Sequence, residues 1–243
     1  MKLDISEIEF SHVDIKRNIT LPNHMSADLA HLIGIQIGDG YLKKEDRGKE
    51  GFGYKAIYSG NMLTEYNWYV TYLRPLIKQL FNLDTNVKES TKNTVEIRIG
   101  SKAIFSFLNQ VCGIGQSPKR NIHIPTVIMD NDLEIKRAFL RGLSDTDFSL
   151  TFKKRTRCND YPVLYHMTCD QILHDDIRRL LFSLGFNNTG GYRISKRYTD
   201  YHDSYYVQIS GRKMLAKWMD EIKPSSHNFL RRYNQWKKQE DSY

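Results

Sequence analysis

Two segments of the chain carry apolar residues at helical spacing and end in almost the same way. The first begins at Ser26 and the second near Asp132, and both of these residues are favourable helix N-caps. Small residues recur every fourth position in each segment, and the last small residue is followed by an aspartate. Every one of these positions in the first segment has a counterpart 108 residues later: Ala30, Gly34, Gly38 and Asp39 correspond to Ala138, Gly142, Thr146 and Asp147.

A spacing of four places the small residues along one face of a helix, where another backbone can approach closely. Two matching stripes predict that the two helices pack on each other. Pairing would then bring Asp39 and Asp147 together at one end, and two adjacent carboxylates repel unless a cation lies between them. Carboxylate oxygens favour Mg²⁺ or a similar divalent ion.

The pattern after each helix also repeats, changing from helical spacing to the alternation of strands. It predicts two αββαββα halves, an α+β fold with a four-stranded antiparallel sheet in each half and the motif helices paired. We expect an N-terminal extension at 1–25, a first half at 26–120 and a second half at 121–243. The predicted strands lie after the acids and at 53–59, 85–90, 94–100, 162–169, 192–197 and 205–210, and the predicted middle helices at 63–80 and 171–184.

Composition narrows the class of partner. Lys and Arg number 36 against 28 Asp and Glu, which gives a net charge of +8, and both halves are basic. A polyanion contacted along the whole molecule fits this balance. The three cysteines have no metal-binding spacing, the first residues do not form a signal peptide, and no apolar stretch approaches the length of a membrane span. We expect an intracellular protein of the cytoplasm or an organellar matrix, neither secreted nor in a membrane.

A basic residue recurs at equal distance from each acid. Lys119 lies 80 positions after Asp39, and His227 lies 80 positions after Asp147. A cation near a reacting phosphate stabilises developing negative charge or positions a water. We therefore predict Lys119 and His227 as catalytic companions of the two acids, the alternative being that they are a surface lysine and a chance histidine.

These residues resemble the LAGLIDADG homing endonucleases in their single-chain form, which carries two copies of the motif. Leu32-Ile-Gly-Ile-Gln-Ile-Gly-Asp39-Gly matches the first copy, and Leu140-Arg-Gly-Leu-Ser-Asp-Thr-Asp147-Phe matches the second. The resemblance extends from about Ser26 to Trp236. One departure is that Gly40 in the first copy corresponds to Phe148 in the second.

The resemblance implies a function and a set of roles. Asp39 and Asp147 would bind catalytic Mg²⁺, with Mn²⁺ or Ca²⁺ able to occupy the same site, and the carbonyls of Gly38 and Thr146 would assist. Two sheets would form a saddle over double-stranded DNA, and each strand of a long target would be cut once by phosphodiester hydrolysis. Ser59 and Cys169 stand where the family often has water-positioning side chains.

Strand alternation predicts which side chains face the DNA. Leu42 and Leu150 should pack inward, and a mixture of basic, polar and aromatic residues should be exposed for base and phosphate contacts. The predicted DNA-binding residues are Tyr41, Lys43, Tyr54, Tyr58, Lys88, Glu96, Arg98, Thr151, Lys153, Arg155, His166, Thr168, Arg193, Ser195, Arg197, Tyr206 and Gln208. For each one, the alternative is a solvated sheet face.

Other functions remain open at the level of sequence. The same fold could bind nucleic acid without cutting it, as a helper of intron splicing (a maturase) or as a regulator. An endonuclease borne by an intein is a second alternative, but Met1 and the Ser-Tyr end favour a freestanding protein. An unrelated basic module with an accidental repeat is a third. Because the repeat supplies its own symmetry, we expect a monomer with an asymmetric target and no obligate protein partner.

Overall fold

The computed structural model describes residues 1–48, 51–91, 93–155, 158–197 and 200–240, and only the backbone is described at 91, 155, 158–159, 195–197, 200–202 and 239–240. Contacts divide the chain into two compact units. One contains Met1–Lys119 and Pro125–Leu143, and the other contains Arg120–Ile124 and Ser144–Tyr243. Each unit is built around one four-stranded antiparallel sheet.

In the first unit, the sheet has the strand order β1-β2-β4-β3. The elements follow the chain as α1 (His12–Lys16), α2 (Ala27–Gly38), β1 (Gly40–Asp46), β2 (Phe52–Asn61), α3 (Met62–Trp68), α4 (Arg74–Phe81), β3 (Val87–Thr91), β4 (Thr94–Gly100), α5 (Lys102–Ser106) and α6 (Thr126–Met129). A π-helical turn, Tyr69–Leu73, joins α3 to α4, and another, Phe107–Val111, extends α5. The predicted helix at 63–80 and the predicted strands are confirmed.

The second unit repeats this order. After α7 (Leu133–Thr146), which begins in the first unit, come β5 (Ser149–Arg155), β6 (Cys158–Thr168), α8 (Gln171–Ser183), β7 (Thr189–Arg197), β8 (Asp200–Ser210), α9 (Arg212–Glu221) and α10 (His227–Glu240). The sheet order is β5-β6-β8-β7, the counterpart of the first sheet. The α+β prediction with two such sheets is therefore confirmed. Helix α10 was not predicted; Trp236 holds it to the sheet by stacking on Phe152 and donating to the carbonyl of Asp160.

Helices α2 and α7 pack backbone to backbone at two glycines. A β-carbon placed on Gly34 would lie 2.1 Å from the carbonyl oxygen of Phe139, and one placed on Gly142 would lie 2.1 Å from the carbonyl oxygen of His31. Both distances are far below van der Waals contact, so only glycine fits at either position. The small-residue stripe thus fulfils its predicted role, with Ala30 and Ala138 also buried.

The N-terminal extension is an integral part of the first unit. Its buried side chains include Leu3, Ile8, Ile19 and Met25, and a bridge pairs Lys2 with His24. Asp14 is fully buried and accepts hydrogen bonds from Ser11 and from the backbone N–H of Ala103. Because these contacts reach α5, residues 1–25 contribute to the core of this unit. In the described part of the chain, no helix is both long and apolar enough to cross a membrane.

Candidate metal site and nucleic-acid interface

Asp39 lies where α2 ends and β1 begins. It is the C-cap of α2, donating its backbone N–H to Ile35, and its own carbonyl accepts from the backbone N–H of Ser59 on β2 at 3.3 Å. Its side chain is half-buried rather than sealed in the core. The carboxylate is therefore anchored through its backbone at a junction of helix and sheet while remaining accessible.

Lys119 caps the same end of α2. Its Nζ donates to the carbonyls of Gln36 at 3.2 Å, Ile37 at 2.7 Å and Gly38 at 2.9 Å. These carbonyls carry the negative end of the helix dipole, which a cation stabilises. The ammonium thus lies at the turn that carries Asp39, and the Gly38 carbonyl accepts one of its hydrogen bonds. The catalytic role of Lys119 and the metal-binding role of Gly38 stay predictions.

Two acids end the second motif, and their surroundings differ. Asp145 is buried and accepts three hydrogen bonds, from the backbone N–H of Ser225 at 2.6 Å, its hydroxyl at 2.5 Å and the backbone N–H of Ser226 at 2.8 Å. Asp147 directly follows α7, and its side chain is 31% exposed. Asp145 is therefore committed to holding the segment before α10, and Asp147 is the acid that can face a ligand.

His166 lies next to Asp147, with its Nε2 3.8 Å from the Asp147 Oδ2. The imidazole is completely buried and packs against Phe148, with ring centroids 5.1 Å apart. The sequence prediction placed His166 on the exposed DNA face, and this is wrong. His227, the predicted companion of Asp147, is exposed as the first residue of α10, directly after Ser226; its catalytic role and the metal-binding role of Thr146 stay predictions.

The open face of the first sheet follows from its register, because directly paired residues lie on one side of a sheet. Tyr41 and Lys43 pair with Ile57 and Lys55, and Ser59 pairs with Glu96. Several charged residues of this face form ion pairs with one another. Its polar and charged members are Tyr41, Lys43, Glu45, Lys55, Ser59, Lys88, Glu96 and Arg98.

Two acids on this face hold its cations. Glu45 contacts Lys55 at 2.5 Å and Lys43 at 2.9 Å, and hydrogen bonds from these lysines lower the pKa of Glu45 to about 2. Glu96 pairs with Arg98 at 2.5 Å and accepts from Ser59 at 3.2 Å. Burial acts to raise the pKa of Glu96, but hydrogen bonds led by that from Arg98 outweigh it, so the pKa lies below its usual value. Both acids are therefore charged at neutral pH.

The open face of the second sheet has a different character. Lys153 donates to Gln208 at 2.9 Å, and the guanidinium of Arg193 lies 5.9 Å from the ring centre of Tyr165 and donates to the Met167 sulfur at 2.9 Å. Tyr165 stacks on Tyr206 at 5.8 Å. Lys153 and Arg193 thus lie beside neutral and aromatic side chains, a combination suited to phosphates and base edges. Thr151 belongs to the same face.

The exposure prediction is wrong along the central strand of each sheet. Leu42 and Leu150 are buried as expected, but Tyr54 and Tyr58 on β2 and His166 and Thr168 on β6 lie on the core side. Tyr54 packs edge-on against Phe105, and Thr168 accepts from the Asp170 N–H at the start of α8.

The physical reason is that both central strands carry large apolar or aromatic residues on each face, so alternation does not identify the open side. Lys55, Tyr165 and Met167 were missed for the same reason. Lys55 is the only charged residue of β2, and its charge is the feature of the sequence that could have indicated which face of the strand is exposed.

Glu96 lies on the predicted face but is only 8% exposed, contrary to expectation. The side chains of Arg155, Ser195 and Arg197 lie outside the described residues.

The two predicted water-positioning residues differ in setting. Ser59 contacts the backbone of Asp39 and donates its hydroxyl to Glu96. Cys169 is exposed just after β6. Among the described residues, no group of three or more His, Cys, Asp or Glu side chains is arranged to hold a metal ion. Neither observation tests the proposed roles, which stay predictions.

Comparison with known proteins assigns the fold to a class. Residues 134–223 match the family model of the LAGLIDADG-like domain. Crystal structures of I-DmoI resemble the chain: a double variant with nicked target DNA and manganese is 19% identical with a TM-score of 0.60, covering 83% of this chain and 98% of that chain. I-DmoI with DNA and manganese is 21% identical with a TM-score of 0.58 and the same coverage.

A more distant meganuclease shows the same likeness. I-SmaMI bound to uncleavable DNA is 14% identical with a TM-score of 0.52, covering 90% of each chain. No sequence among curated proteins matches this chain. The protein has the α+β fold of the single-chain LAGLIDADG homing endonucleases. The resemblance read from the two motifs is thereby confirmed at the level of the fold, and residues 134–223 match the LAGLIDADG-like domain.

Proposed function

We propose that the protein is a metal-dependent endonuclease that binds a long asymmetric site in double-stranded DNA and hydrolyses one phosphodiester bond in each strand. The observation that carries the proposal is the repeated placement of one accessible acid at the end of each motif helix. Asp39 and Asp147 each follow a close-packed glycine, Gly34 or Gly142, by five residues. Equal spacing from one helix contact supports a shared catalytic role.

The donor set at these positions fits a hard divalent cation. Asp39 and Asp147 offer carboxylate oxygens, and Asp145 is excluded because its oxygens are already occupied by Ser225 and Ser226. Mg²⁺ commonly takes only one or two protein carboxylates and completes its shell with water and phosphate oxygens. The printed titles of related structures include manganese, calcium or magnesium together with DNA. Mg²⁺ is the proposed physiological ion.

When bound, the metal would activate water and neutralise charge on the attacked phosphate. The two carboxylates would hold it, and the ammonium of Lys119 would add positive charge beside Asp39. His227 is proposed as the corresponding basic group of the second half, and Ser59 and Cys169 as water-positioning groups. The attacking oxygen comes from water and the leaving group is the 3′- or 5′-oxygen of the cut bond, so no covalent intermediate with the protein is needed.

The two open sheet faces are proposed to contact the DNA. Lys43, Lys88, Arg98, Lys153 and Arg193 would contribute phosphate or base contacts, because all five are exposed. Since the two faces differ in composition, the two halves of the target would differ in sequence. A monomer acting inside the cell would suffice, because one chain already carries both sheets.

The test is a cleavage selection. The full chain is incubated with a library of long randomised or candidate intron-insertion duplexes, with Mg²⁺ or with EDTA, and the cut ends are sequenced. We expect metal-dependent double-strand breaks at one site, lost in Asp39→Asn and in Asp147→Asn. The matched control is Asp130→Asn, an exposed acid outside the motifs, which should cut like the wild type.

Two outcomes would contradict the proposal. Tight duplex binding with no cutting in Mg²⁺ or Mn²⁺ would favour a binding role such as splicing assistance or regulation. Cutting that survives in both Asn variants would place the catalytic site elsewhere. Circular dichroism melting of each variant would show whether lost activity reflects lost folding.

A further inference from the structure

His166 is an unusual side chain for the core of the second unit. It lies on the core face of β6, paired with Val207, and it is completely buried. Neither ring nitrogen has a hydrogen-bond partner among the described residues. A buried polar group without a partner weakens folding, and an apolar residue of the same size would avoid that cost. Such a residue therefore calls for a functional explanation.

The surroundings of the ring point it toward one acid. The Nε2 of His166 is 3.8 Å from the Oδ2 of Asp147, and Phe148 packs on the imidazole. Phe148 in turn packs against Trp218, which is also completely buried, so the ring belongs to a buried aromatic cluster. A closure of about 1 Å would bring Nε2 and Oδ2 to normal hydrogen-bond distance. The carboxylate is the partly exposed member of this pair, so its remaining oxygen can still face a ligand.

We propose that His166 is a positioning residue for Asp147: when the divalent cation binds, the His166 Nε2–H donates to Oδ2 and orients the carboxylate so that Oδ1 can hold the cation. This inference rests on the proposed function. Carboxylate ligands of metals are commonly held by hydrogen bonds from a second layer of residues, and loss of such a partner typically weakens metal binding about 10- to 100-fold. His166 therefore acts through Asp147 and not on the phosphate itself.

The first half supplies a matched control. The residue 108 positions earlier is Tyr58, which is also completely buried on the central strand and whose hydroxyl likewise lacks a partner in the described part of the chain. Burial raises the pKa of Tyr58, and the nearby Cys112 adds to that shift. Tyr58→Phe removes one buried polar group from the core, as His166→Phe does, but leaves Asp147 and its neighbour intact.

The experiment measures Mn²⁺ binding to the full chain by electron paramagnetic resonance, with melting followed by circular dichroism. We expect His166→Phe to weaken Mn²⁺ binding about 10-fold or more. In the metal-free protein, where Nε2 and Oδ2 are 3.8 Å apart and not hydrogen-bonded, it should raise Tm by about 2–4 °C. His166→Gln, which retains an N–H donor, should restore part of the affinity. Tyr58→Phe should leave Mn²⁺ affinity unchanged. A change of affinity and stability in opposite directions is the signature that packing alone would not give.

Three results would overturn the inference, and they are distinguishable from failure of the proposed function. If His166→Phe binds Mn²⁺ within twofold of the wild type while Asp147→Asn does not bind it, His166 has no positioning role and the endonuclease proposal stands. If Tyr58→Phe and His166→Phe weaken binding equally, the effect is general to the core. If Asp147→Asn binds Mn²⁺ as the wild type does, Asp147 is not a ligand and both proposals fail.

Discussion

The two halves share a backbone plan but fill it differently around their acids. Each has a motif helix, an aspartate directly after it and a sheet with the same strand order. In the first half, the end of α2 is held by the ammonium of Lys119. In the second, Asp145 of α7 instead accepts from Ser225 and Ser226. Equivalent backbone positions can therefore be stabilised by a cation in one half and by an anion in the other.

A second difference is that a large and a small side chain exchange places between the motif helix and the strand that follows it. In the first half Gln36 is buried and Gly40 leaves room for it: a β-carbon on Gly40 would lie 2.6 Å from the Gln36 Nε2 and 2.7 Å from the Gln36 Cα. In the second half the corresponding residues are Ser144 and Phe148, both buried. A large residue on the helix is thus matched by glycine on the strand, and a small one by phenylalanine. The departure of Phe148 from the motif is explained by this compensation.

The open faces of the two sheets differ in charge. The first carries Glu45 and Glu96 among its cations, whereas Lys153 and Arg193 of the second are next to Gln208 and Tyr165. Acids within a basic face hold cations in fixed positions and reduce attraction to phosphates. We expect the first face, whose cations are held in fixed positions, to contribute more to the discrimination between DNA sequences. The second face should contribute more of the salt-dependent affinity for DNA.

The strongest shared feature, the glycine contact of α2 and α7, gives the largest expected effect. Gly34→Val and Gly142→Val should each lower the free energy of unfolding by about 3 kcal/mol or more, because the added atoms meet backbone that cannot rotate away. Urea unfolding checks this. The control is Gly100→Val, at a position where a β-carbon has no neighbour within 4 Å, and it should change stability by less than about 0.5 kcal/mol. Tolerance of valine at Gly34 or Gly142 would contradict the packing.

The volume exchange is tested by transplanting the second half's residues into the first. Gly40→Phe alone should cost about 3 kcal/mol, because the new side chain meets both the side chain and the Cα of Gln36. The double substitution Gln36→Ser with Gly40→Phe should recover at least about 1 kcal/mol of that cost, which is the size of coupling typical of contacting residues. A double-mutant cycle in urea provides the measurement. Strict additivity would mean that the two positions are filled independently.

The motif helices could be predicted from the sequence in more detail than the central strands. Helices α2 and α7 were predicted with their caps, packing faces and terminal acids, because helical spacing and small residues have one physical interpretation there. Strands β2 and β6 were predicted at the right positions, but their side chains were assigned to the wrong faces of the sheet. Neighbouring apolar or aromatic residues, Ile57 and Tyr58 in β2 and Val163 and Leu164 in β6, could each belong to either face. Register becomes evident only when the neighbouring strand is in place.

The candidate site divides in the same way. Spacing alone proposed Asp39, Asp147, Lys119 and His227 as candidates, and their roles stay predictions. It could not show that Asp145 is engaged by Ser225 or that His166 lies beside Asp147, because both contacts join residues distant in the chain. Long-range packing also explains why residues 1–25 had no predicted role although Asp14 contacts the first turn of α5.

Removal of the helix-capping cation should have a moderate effect that is confined to the first half. Lys119→Met should lower the free energy of unfolding by about 1–2 kcal/mol, because three carbonyls at the end of α2 lose a charged donor. His227→Ala, at the equally spaced but exposed position, should change it by less than about 0.5 kcal/mol. Thermal and urea unfolding of the two variants provide the comparison. Equal losses would show that both basic residues hold their halves together alike.

The smallest expected effect concerns the charge difference between the sheets. Glu45→Gln should release Lys43 and Lys55, raising affinity for non-specific duplex DNA severalfold and steepening the salt dependence of binding by about one unit. Gln208→Glu, the reverse exchange beside Lys153, should weaken binding. Fluorescence anisotropy at several salt concentrations measures both.

The pH dependence of this effect distinguishes its cause. Because hydrogen bonds from Lys55 and Lys43 lower the pKa of Glu45 to about 2, this side chain stays charged from pH 8 down to about pH 4. The contribution of the Glu45 carboxylate to the free energy of unfolding is fully present above the ordinary glutamate pKa and is lost only as the pH falls toward 2. The affinity gap between wild type and Glu45→Gln should therefore be the same at pH 8 and pH 4. A gap that largely closes at pH 4 would mean that Glu45 is not held by the two lysines, and the contrast between the sheets would then rest on Glu96 alone.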